Sequence, residues 1–349
     1  MGMAQVQCDI VICNFLAMRN PLTYLLAACY RVAYKLHHRV CLRPGKPLAH
    51  AQLVVVGSFL AGGAGKTPFT AWLAQFLQEN SRGAADGIAG KDCAAPRIAI
   101  LCHRNAADEA EMLRQQFAGI SQVRVIATPN RYKTAHEIDR DYDYIICDDG
   151  FEDTRLVNAF TIRLDWEEPP TRTADLLPAG KNRSLLQDHD APALVLRCGM
   201  QVPAGAATRA TVQTSEAVQT REATPAAAPA DITFGIACIK NAAGIAFDPQ
   251  QHPDAVAACG IGNPERFRED LRAFGISPAG FVARRDHDRH FEQTINMLIA
   301  RKVPTIITAK DTARLPRDLR AHPGIYTAYQ QVSVSEQAIS RLRETLLRG

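Results

Sequence analysis

Acidic residues are missing from a long stretch near the amino terminus of this 349-residue chain. No aspartate or glutamate lies between Asp9 and Glu79. The basic residues of the same stretch are Arg19, Arg31, Lys35, Arg39, Arg43, Lys46 and Lys66. A segment of one charge sign beside apolar residues indicates an anionic surface as its partner. The net charge of the whole chain is only +4, which is too small to indicate nucleic acid.

Paired cysteines are absent as well. The ten cysteines include no CxxC pair and no His/Cys spacing typical of zinc. Cys147, Cys198 and Cys259 lie in apolar runs, where a thiol acts as a small hydrophobic group. This distribution indicates a reducing compartment and a cytosolic protein. No basic segment precedes the first apolar stretch, so we do not expect a cleaved signal peptide.

The chain also lacks a bilayer-length apolar run after Pro21, because the run that begins there stops at Arg31. Residues 21–43 instead predict an amphipathic helix. Its apolar positions are Leu22, Leu25, Leu26, Cys29, Val32, Ala33 and Leu36. Such a helix either lies in a membrane interface or packs on the protein's own core. The basic flanks and the missing acids favour the membrane interface.

What is present, from residue 53 to about 197, is an alternation of short apolar runs with helical patterns. The predicted strands are LVVV (53–56), IAIL (98–101), VRVI (123–126), YIIC (144–147), FTIRL (160–164) and ALVL (193–196). This alternation predicts an α/β fold, with a mostly parallel sheet and helices on both faces. After a stretch rich in Ala, Thr, Pro and Gln, a second α/β pattern begins with ITFGI.

A glycine-rich turn follows the first predicted strand in LVVVGSFLAGGAGKTPF (53–69). Backbone N–H groups in such a turn, together with a helix N-terminus, bind phosphate. The residues predicted to bind a phosphate chain, which the family resemblance given below implies to be that of ATP, are Gly62, Gly63, Ala64, Gly65, Lys66 and Thr67. In this role Lys66 reaches the β- and γ-phosphates, and the Thr67 hydroxyl binds Mg²⁺. The P-loop pattern G-x-x-x-x-G-K-[ST] asks for glycine where Leu60 stands.

Two aspartates end another predicted strand, in YIICDDGF. Asp148 and Asp149 therefore lie at the carboxyl edge of the sheet, beside the phosphates, where one of them can hold Mg²⁺ directly or through water. Two further sites give weaker signals. Asp108 and Glu109 open a helical pattern, where acids are favourable in any case. The spacing of the acidic and histidine residues at 286–290 indicates only a solvated cluster.

The order and spacing of these motifs resemble the tetraacyldisaccharide 4'-kinase family, from about Pro21 to Leu315. The matching segments are PLTYLL, VGSFLAGGAGKTP, DEAEML, PNRYKTA, DDGFEDTRL, LLPAGKNRS, CGIGNPERF, DHD (286–288) and TAKDTARL. The loop of that family also lacks glycine at the position of Leu60. The resemblance therefore removes the objection that this position raises.

The resemblance implies transfer of the ATP γ-phosphate to the 4'-hydroxyl of a tetraacyldisaccharide 1-phosphate, a lipid A precursor. It implies a monomeric, peripheral or monotopic enzyme on the cytoplasmic face of the bacterial inner membrane, bound to its anionic surface. By position, Asp108 matches the catalytic aspartate of the family, and His287 matches its histidine partner. Arg183 matches an arginine near the transferred phosphate. Asp148 and Asp149 belong to the Mg²⁺ region.

Two alternatives remain open, because the sequence departs from the family pattern on the acceptor side. A glutamate of the family is replaced by Ser184, and a glutamine by Glu152. The first alternative is a divergent nucleotide-binding protein with reduced or no kinase activity. The second is a P-loop NTPase for metal insertion or partner assembly.

We therefore predict four regions with distinct roles. They are an amino-terminal amphipathic membrane-interface helix with its lead-in (1–48), a P-loop kinase domain (49–199), a linker (200–231) and a second α/β domain with a C-terminal helix (232–349).

Overall fold

The computed structural model describes most of the chain as two compact units. The described residues are 21–80, 95–200, 229–286, 288 and 290–347. The first unit comprises the described parts of Met1–Asn105, Gly119–Val195 and Thr345–Leu347, and the second comprises those of Ala106–Ala118 and Leu196–Glu344. Most of the predicted linker, and His287, lie outside the described residues.

Eleven strands occur in the described part of the chain. They are β1 (Gln52–Gly57), β2 (Ile98–His103), β3 (Val123–Thr128), β4 (Tyr144–Asp148), β5 (Phe160–Asp165), β6 (Leu194–Met200), β7 (Ile232–Asn241), β8 (Val256–Cys259), β9 (Gly280–Ala283), β10 (Thr305–Thr308) and β11 (Ile325–Val334). Every strand that the apolar runs predict is present, which confirms the predicted α/β class.

The α-helices of the same residues alternate with these strands. They are α1 (Pro21–Cys41), α2 (Lys66–Asn80), α3 (Ala107–Gln116), α4 (Arg131–Glu137), α5 (Pro264–Ala273), α6 (Phe291–Ala300), α7 (Ala309–Arg314), α8 (Arg317–Arg320) and α9 (Glu336–Leu342). Short 3₁₀ turns occupy Thr173–Asp175 and Leu186–Asp188, and a π-helical turn occupies Arg343–Leu347.

In the first unit, five strands form a parallel sheet in the order β3-β2-β4-β1-β5. Leu53 and Val55 of β1 pack on one face of this sheet, in a cluster with Ala135 of α4. The alternate residues Val54 and Val56 are fully buried on the other face, and α2 contacts β1 and β4. Burial of both faces explains the continuous apolar runs of these strands. The parallel direction places the ends of β1 and β4 at one edge.

In the second unit, the strand order is β6-β7-β11-β10-β8-β9, with most of β6 included. The ladder between β7 and β11 is antiparallel, and the other four ladders are parallel. Asn263 caps α5 by accepting from the Arg266 N–H, and Pro264 begins the helix, as the sequence predicts. Helix α3 belongs to this unit and packs on α7.

Helix α1 packs on the first unit with the face opposite to its apolar stripe. Thr23 and Ala27 are buried, and Ala27 contacts Leu176 and Leu185. The apolar residues that face outward are Leu22 (61% exposed), Leu25 (60%), Val32 (69%), Leu36 (61%) and Val40 (59%). The interpretation that this stripe packs on the protein's own core is therefore wrong. No helix in the described ranges combines the length and apolarity needed to cross a bilayer.

Asp139 anchors the segment that leads into β1. Its carboxylate accepts from the backbone N–H groups of Ala49 (2.8 Å), His50 (3.2 Å) and Ala51 (2.8 Å). Burial alone would raise the pKa of Asp139, but these three donors lower it below 3.8. The ionised form is therefore the one that stabilises the fold.

We expect Asp139→Ala to lower the free energy of unfolding by about 2 kcal/mol or more, because it leaves the buried Ala51 N–H and two partly buried N–H groups without their acceptor. The pKa of Asp139 is lowered in the folded state, so its contribution is complete above the unfolded pKa and is lost as the pH falls through the folded one. Urea unfolding should thus show a difference from wild type that shrinks as the pH drops below about 4. Asp141→Ala, at an exposed position nearby, is the control. An equal effect of both substitutions would contradict the assignment.

Candidate active site

The glycine loop connects β1 to α2 and adopts a conformation that depends on two of its glycines. Gly63 and Gly65 have φ angles of 70° and 74°, which side chains with a Cβ rarely adopt. Gly57, at the end of β1, passes so close to Phe151 that a Cβ would lie 2.1 Å from the Phe151 Cβ. The first N–H groups of a helix have no carbonyl partner within that helix, so those at the start of α2 are suitable donors for a phosphate held by this turn.

Leu60 occupies the P-loop position where glycine is usual, and the structure explains why a side chain is tolerated there. Leu60 forms an antiparallel bridge with Asn182. The flanking hydrogen bonds run from Ala61 N–H to the Lys181 carbonyl (3.1 Å) and from Arg183 N–H to the Phe59 carbonyl (2.9 Å). The backbone is therefore strand-like at this point, and it does not need the left-handed region that favours glycine.

Asp148 holds two hydroxyl groups of α2. The Thr67 hydroxyl donates to its Oδ2 at 2.8 Å, and the Thr70 hydroxyl donates to its Oδ1 at 3.0 Å. Asp148 can reach them because it pairs with Val56 of the neighbouring strand, next to the loop. The side chains of Thr67 and Thr70 lie one helical turn apart, on the same face of α2.

Asp149 pairs with two cations of the same unit. Its Oδ1 lies 3.3 Å from the Lys66 Nζ, and its Oδ2 accepts from the Arg183 Nη1 at 2.7 Å. Its φ is 54°, in the left-handed region, which aspartate tolerates better than most side chains. Such a conformation costs roughly 1–3 kcal/mol and persists only where its surroundings enforce it.

Arg131 of α4 stabilises this turn through its backbone carbonyls. Its Nη1 donates to the carbonyl oxygens of Asp148 (2.6 Å) and Asp149 (2.7 Å). Burial raises the pKa of the Asp149 carboxyl, but the charges of Lys66, Arg183 and Arg131 outweigh burial and hold that pKa below its ordinary value. Asp149 is therefore ionised at neutral pH.

Arg183 links the loop to the acids. Its Nη2 donates to the carbonyl of Ala61 at 2.6 Å, while its Nη1 holds Asp149. The Tyr30 hydroxyl of α1 donates to the Arg183 carbonyl at 2.9 Å. The guanidinium is thereby fixed beside the glycine loop, where it can meet an anion that the loop binds.

Ser184 replaces a glutamate of the family pattern, yet a carboxylate lies beside it. The Ser184 hydroxyl donates to the Glu152 Oε1 at 2.7 Å, and the His189 Nε2 lies 2.8 Å from the same hydroxyl. Glu152 also accepts from the Tyr34 hydroxyl of α1. A carboxylate is therefore present beside residue 184, on Glu152.

These groups fit a magnesium-bound polyphosphate. Hydroxyl and carboxylate oxygens, here of Thr67 and Asp148, are the ligands that Mg²⁺ prefers, and phosphate oxygens commonly complete its coordination. Lys66, Arg183 and the loop N–H groups supply donors for the phosphates. The sequence prediction for Gly62–Thr67 is compatible with this geometry, and Asp148 is the carboxylate next to the Thr67 hydroxyl.

Asp108 lies in the second unit, at the start of α3, and it is buried. Its Oδ2 accepts from the Arg314 Nε (2.9 Å) and Nη2 (2.7 Å). The Lys310 Nζ lies 3.7 Å from the same oxygen and 3.1 Å from the Glu109 Oε1. From the sequence alone, Asp108 is only an acid at a favourable place, the N-terminus of a helix. Its burial between two cations is a more specific feature and is typical of functional sites.

Asp286 belongs to the same charged group. The Arg314 Nη2 donates to its Oδ1 at 3.0 Å, and the Lys310 Nζ lies 3.4 Å from that atom. Asp286 is thus exposed, as the solvated interpretation predicts, but it also pairs with two cations, which that interpretation did not include. His287 is not among the described residues, so its predicted partnership with Asp108 remains a prediction.

Sequence reasoning missed the roles of Lys310, Arg314 and Arg131. A signal for the first two existed, because Lys310 and Arg314 are four residues apart on a helix that directly follows a strand. Residues at that spacing share one helical face. Arg131 gave no such signal, because its contacts are with backbone carbonyls that are distant in sequence.

The parallel sheet, the glycine loop between β1 and α2, and the acids that end β4 define a P-loop protein, the class that binds nucleotide phosphates. Comparison with known proteins narrows this class. Residues 16–347 match the family described as tetraacyldisaccharide-1-P 4'-kinase. The chain therefore belongs to the tetraacyldisaccharide-1-P 4'-kinase family.

Individual relatives agree with this assignment. The chain is 26% identical to the tetraacyldisaccharide 4'-kinase of Shewanella baltica OS155, over 93% of this chain and 88% of the relative. It is 29% identical to that of Bordetella parapertussis 12822, over 84% and 81%. A crystal structure of LpxK from Aquifex aeolicus in complex with ATP superposes with a TM-score of 0.57 at 19% identity, covering 94% of this chain and 97% of that one. That likeness confirms the fold.

We expect Lys66→Met to weaken the binding of Mg²⁺-ATP about tenfold or more, because it removes a charge-assisted contact to the phosphates. Isothermal titration calorimetry measures this loss. Lys181→Met is the matched control, because Lys181 is an exposed lysine of the same unit that pairs with Glu167. Equal affinities of Lys66→Met and wild type would contradict the role of the loop.

Proposed function

We propose that this chain transfers the γ-phosphate of ATP to the 4'-hydroxyl of a tetraacyldisaccharide 1-phosphate, a step of lipid A biosynthesis. The observation that carries the proposal is the intact phosphate site, with Thr67 on Asp148 and with Lys66 and Arg183 on Asp149. Family membership supports the lipid acceptor. No observation on the described residues favours either alternative function.

The reaction makes one bond and breaks another. The oxygen of the sugar hydroxyl bonds to the γ-phosphorus, the bond from that phosphorus to the β,γ-bridging oxygen breaks, and ADP leaves with the electron pair. Bound Mg²⁺ supplies positive charge to the phosphate oxygens. In this proposal Thr67 and Asp148 hold the ion, and Lys66 and Arg183 stabilise the charge that develops on the phosphates.

Asp108 is the proposed base. The hydroxyl loses its proton as it attacks, and an ionised carboxylate is a suitable acceptor for that proton. Asp108 is buried and held by Arg314, which supports a fixed orientation. His287 is the proposed partner of Asp108, by its position in the family pattern.

Helix α1 is the proposed membrane contact, on an anionic surface at the cytoplasmic face of the inner membrane. Its outward apolar stripe supports this role, because exposed apolar patches of this kind mark interaction sites. Arg39 flanks that stripe and can meet anionic head groups, and so can the exposed Lys35, whose Nζ also lies 3.7 Å from the Asp188 Oδ1. Arg31 takes a different role, because its Nη1 donates to the Thr173 hydroxyl at 2.9 Å.

We expect Asp108→Asn to lower the rate of lipid phosphorylation roughly 10²–10⁴-fold, because the neutral amide cannot accept the proton. The assay uses labelled ATP and tetraacyldisaccharide 1-phosphate in detergent, with ATP affinity measured in parallel. ATP affinity should stay at the wild-type level. Asp318→Asn, at an exposed position of α8, is the control. Wild-type turnover in Asp108→Asn would disprove its role as the base.

We expect the double variant Val32→Gln, Leu36→Gln to bind anionic lipid vesicles about tenfold less tightly or worse, because it removes buried apolar area from the interface. Co-sedimentation with phosphatidylglycerol vesicles measures the change. The matched control is Ile245→Gln, Met297→Gln, which alters two exposed apolar residues of the second unit. If both double variants pellet like wild type, α1 is not the membrane contact.

A further inference from the structure

The Arg314 guanidinium has acceptors for all five of its N–H groups within the second unit. Its Nε donates to Asp108, and its Nη2 donates to Asp108 and Asp286. Its Nη1 donates to the Gly260 carbonyl at 2.7 Å and to the Asp311 Oδ1 at 3.4 Å. A guanidinium is planar and carries five donors in a fixed geometry, so this set of contacts leaves it a single orientation.

The inner side of this arrangement is held by buried hydrogen bonds. Asp311 is fully buried, and its Oδ1 also accepts from the Gly260 N–H at 3.1 Å. Its Oδ2 accepts from the Thr308 hydroxyl at 2.6 Å, and Thr308 is the residue that caps α7. Arg314 is therefore fixed to the end of β8 and the start of α7, and it presents its outer edge to Asp108.

Lys310 reaches the same acids from one turn earlier on α7. Its Nζ lies within 3.7 Å of the Asp108 Oδ2, the Glu109 Oε1 and the Asp286 Oδ1. Asp108 thus faces two cations of α7, with Glu109 on its own helix and Asp286 as the other nearby acids. Asp311 lies behind Arg314. Burial of Asp108 opposes its ionisation, and the neighbouring charges of Arg314 and Lys310 favour it.

We propose that Arg314 and Lys310 are positioning residues of the phosphoryl transfer, which keep Asp108 ionised and correctly oriented to accept the proton of the sugar hydroxyl. This inference rests on the proposed function. Arg314 acts by its fixed fork of donors as well as by its charge, whereas Lys310 acts mainly by its charge. Without these cations, Asp108 would take up a solvent proton at a higher pH and lose its capacity to act as a base.

The test is the pH profile of kcat/KM for lipid phosphorylation. Arg314→Gln should move the acidic limb upward by roughly 1–3 pH units, because an opposite charge beside an aspartate lowers its pKa by about that amount. Lys310→Gln should move the limb in the same direction but by less. Arg314→Lys should leave the acidic limb near its wild-type position, because it keeps the positive charge. It should lower the rate at every pH, because it loses the planar set of guanidinium donors that orients Asp108.

A purely structural role would lower the rate of Arg314→Gln without moving the limb. Arg317→Gln, an exposed arginine of the next helix, should match wild type in both limb and rate. If Arg314→Gln fails to fold by circular dichroism, Lys310→Gln decides, and an unmoved limb in that variant overturns the inference. If wild type is active and the acidic limb is unmoved in both Gln variants, the inference is overturned and the proposed function stands. No lipid product from wild type overturns the proposed function as well.

Discussion

The pairing of the β4 carboxylates with the groups of the glycine loop is the interaction on which the phosphate site depends. Asp148 fixes the first turn of α2 through two threonine hydroxyls, and Asp149 holds the Lys66 ammonium and the Arg183 guanidinium. These groups come from elements that are distant in sequence, and the parallel pairing of β1 with β4 brings them to one edge of the sheet. Arg131 makes the arrangement possible, because it satisfies the carbonyls of a turn that contains a non-glycine residue at positive φ.

Helix α1 has two chemically different faces. Its inner face contributes the hydroxyls of Tyr30 and Tyr34, which contact the Arg183 carbonyl and the Glu152 carboxylate. Its outer face presents the leucine and valine side chains that the sequence pattern identified. The helix is thus joined to the segment that carries Arg183 by specific polar contacts, while its apolar stripe stays exposed, as the proposed membrane contact requires. A helix that packed its leucines inward would leave no such stripe.

Much of this could be predicted from the sequence, because the signals are local. A strand buried on both faces is a short apolar run, a phosphate loop has glycines at fixed offsets from a lysine, and Asn263 followed by Pro264 begins a helix. Other features depend on contacts between distant segments. The tolerance of Leu60 comes from its bridge with Asn182. The hydrophobic periodicity also could not predict which face of α1 packs on the protein, because an apolar stripe can face either a membrane or a core.

The contacts of Asp108 also could not be predicted from local signals. The pattern placed Asp108 at the start of a helix, but its cations lie some two hundred residues further along the chain, on α7. No local rule pairs them. The membership of the chain in a kinase family and the geometry of its phosphate site nevertheless indicate one chemistry, in which a fixed anion site presents a phosphoryl group to a sugar hydroxyl.

The most direct test of this account follows the transferred atoms. ATP that carries ¹⁸O on its γ-phosphate is incubated with the purified protein, Mg²⁺ and tetraacyldisaccharide 1-phosphate in detergent, and the lipid is analysed by mass spectrometry and ³¹P NMR. The expected product is a heavy-labelled phosphate monoester on the 4' oxygen of the sugar. Label found only in inorganic phosphate, or lipid recovered unchanged, would contradict it.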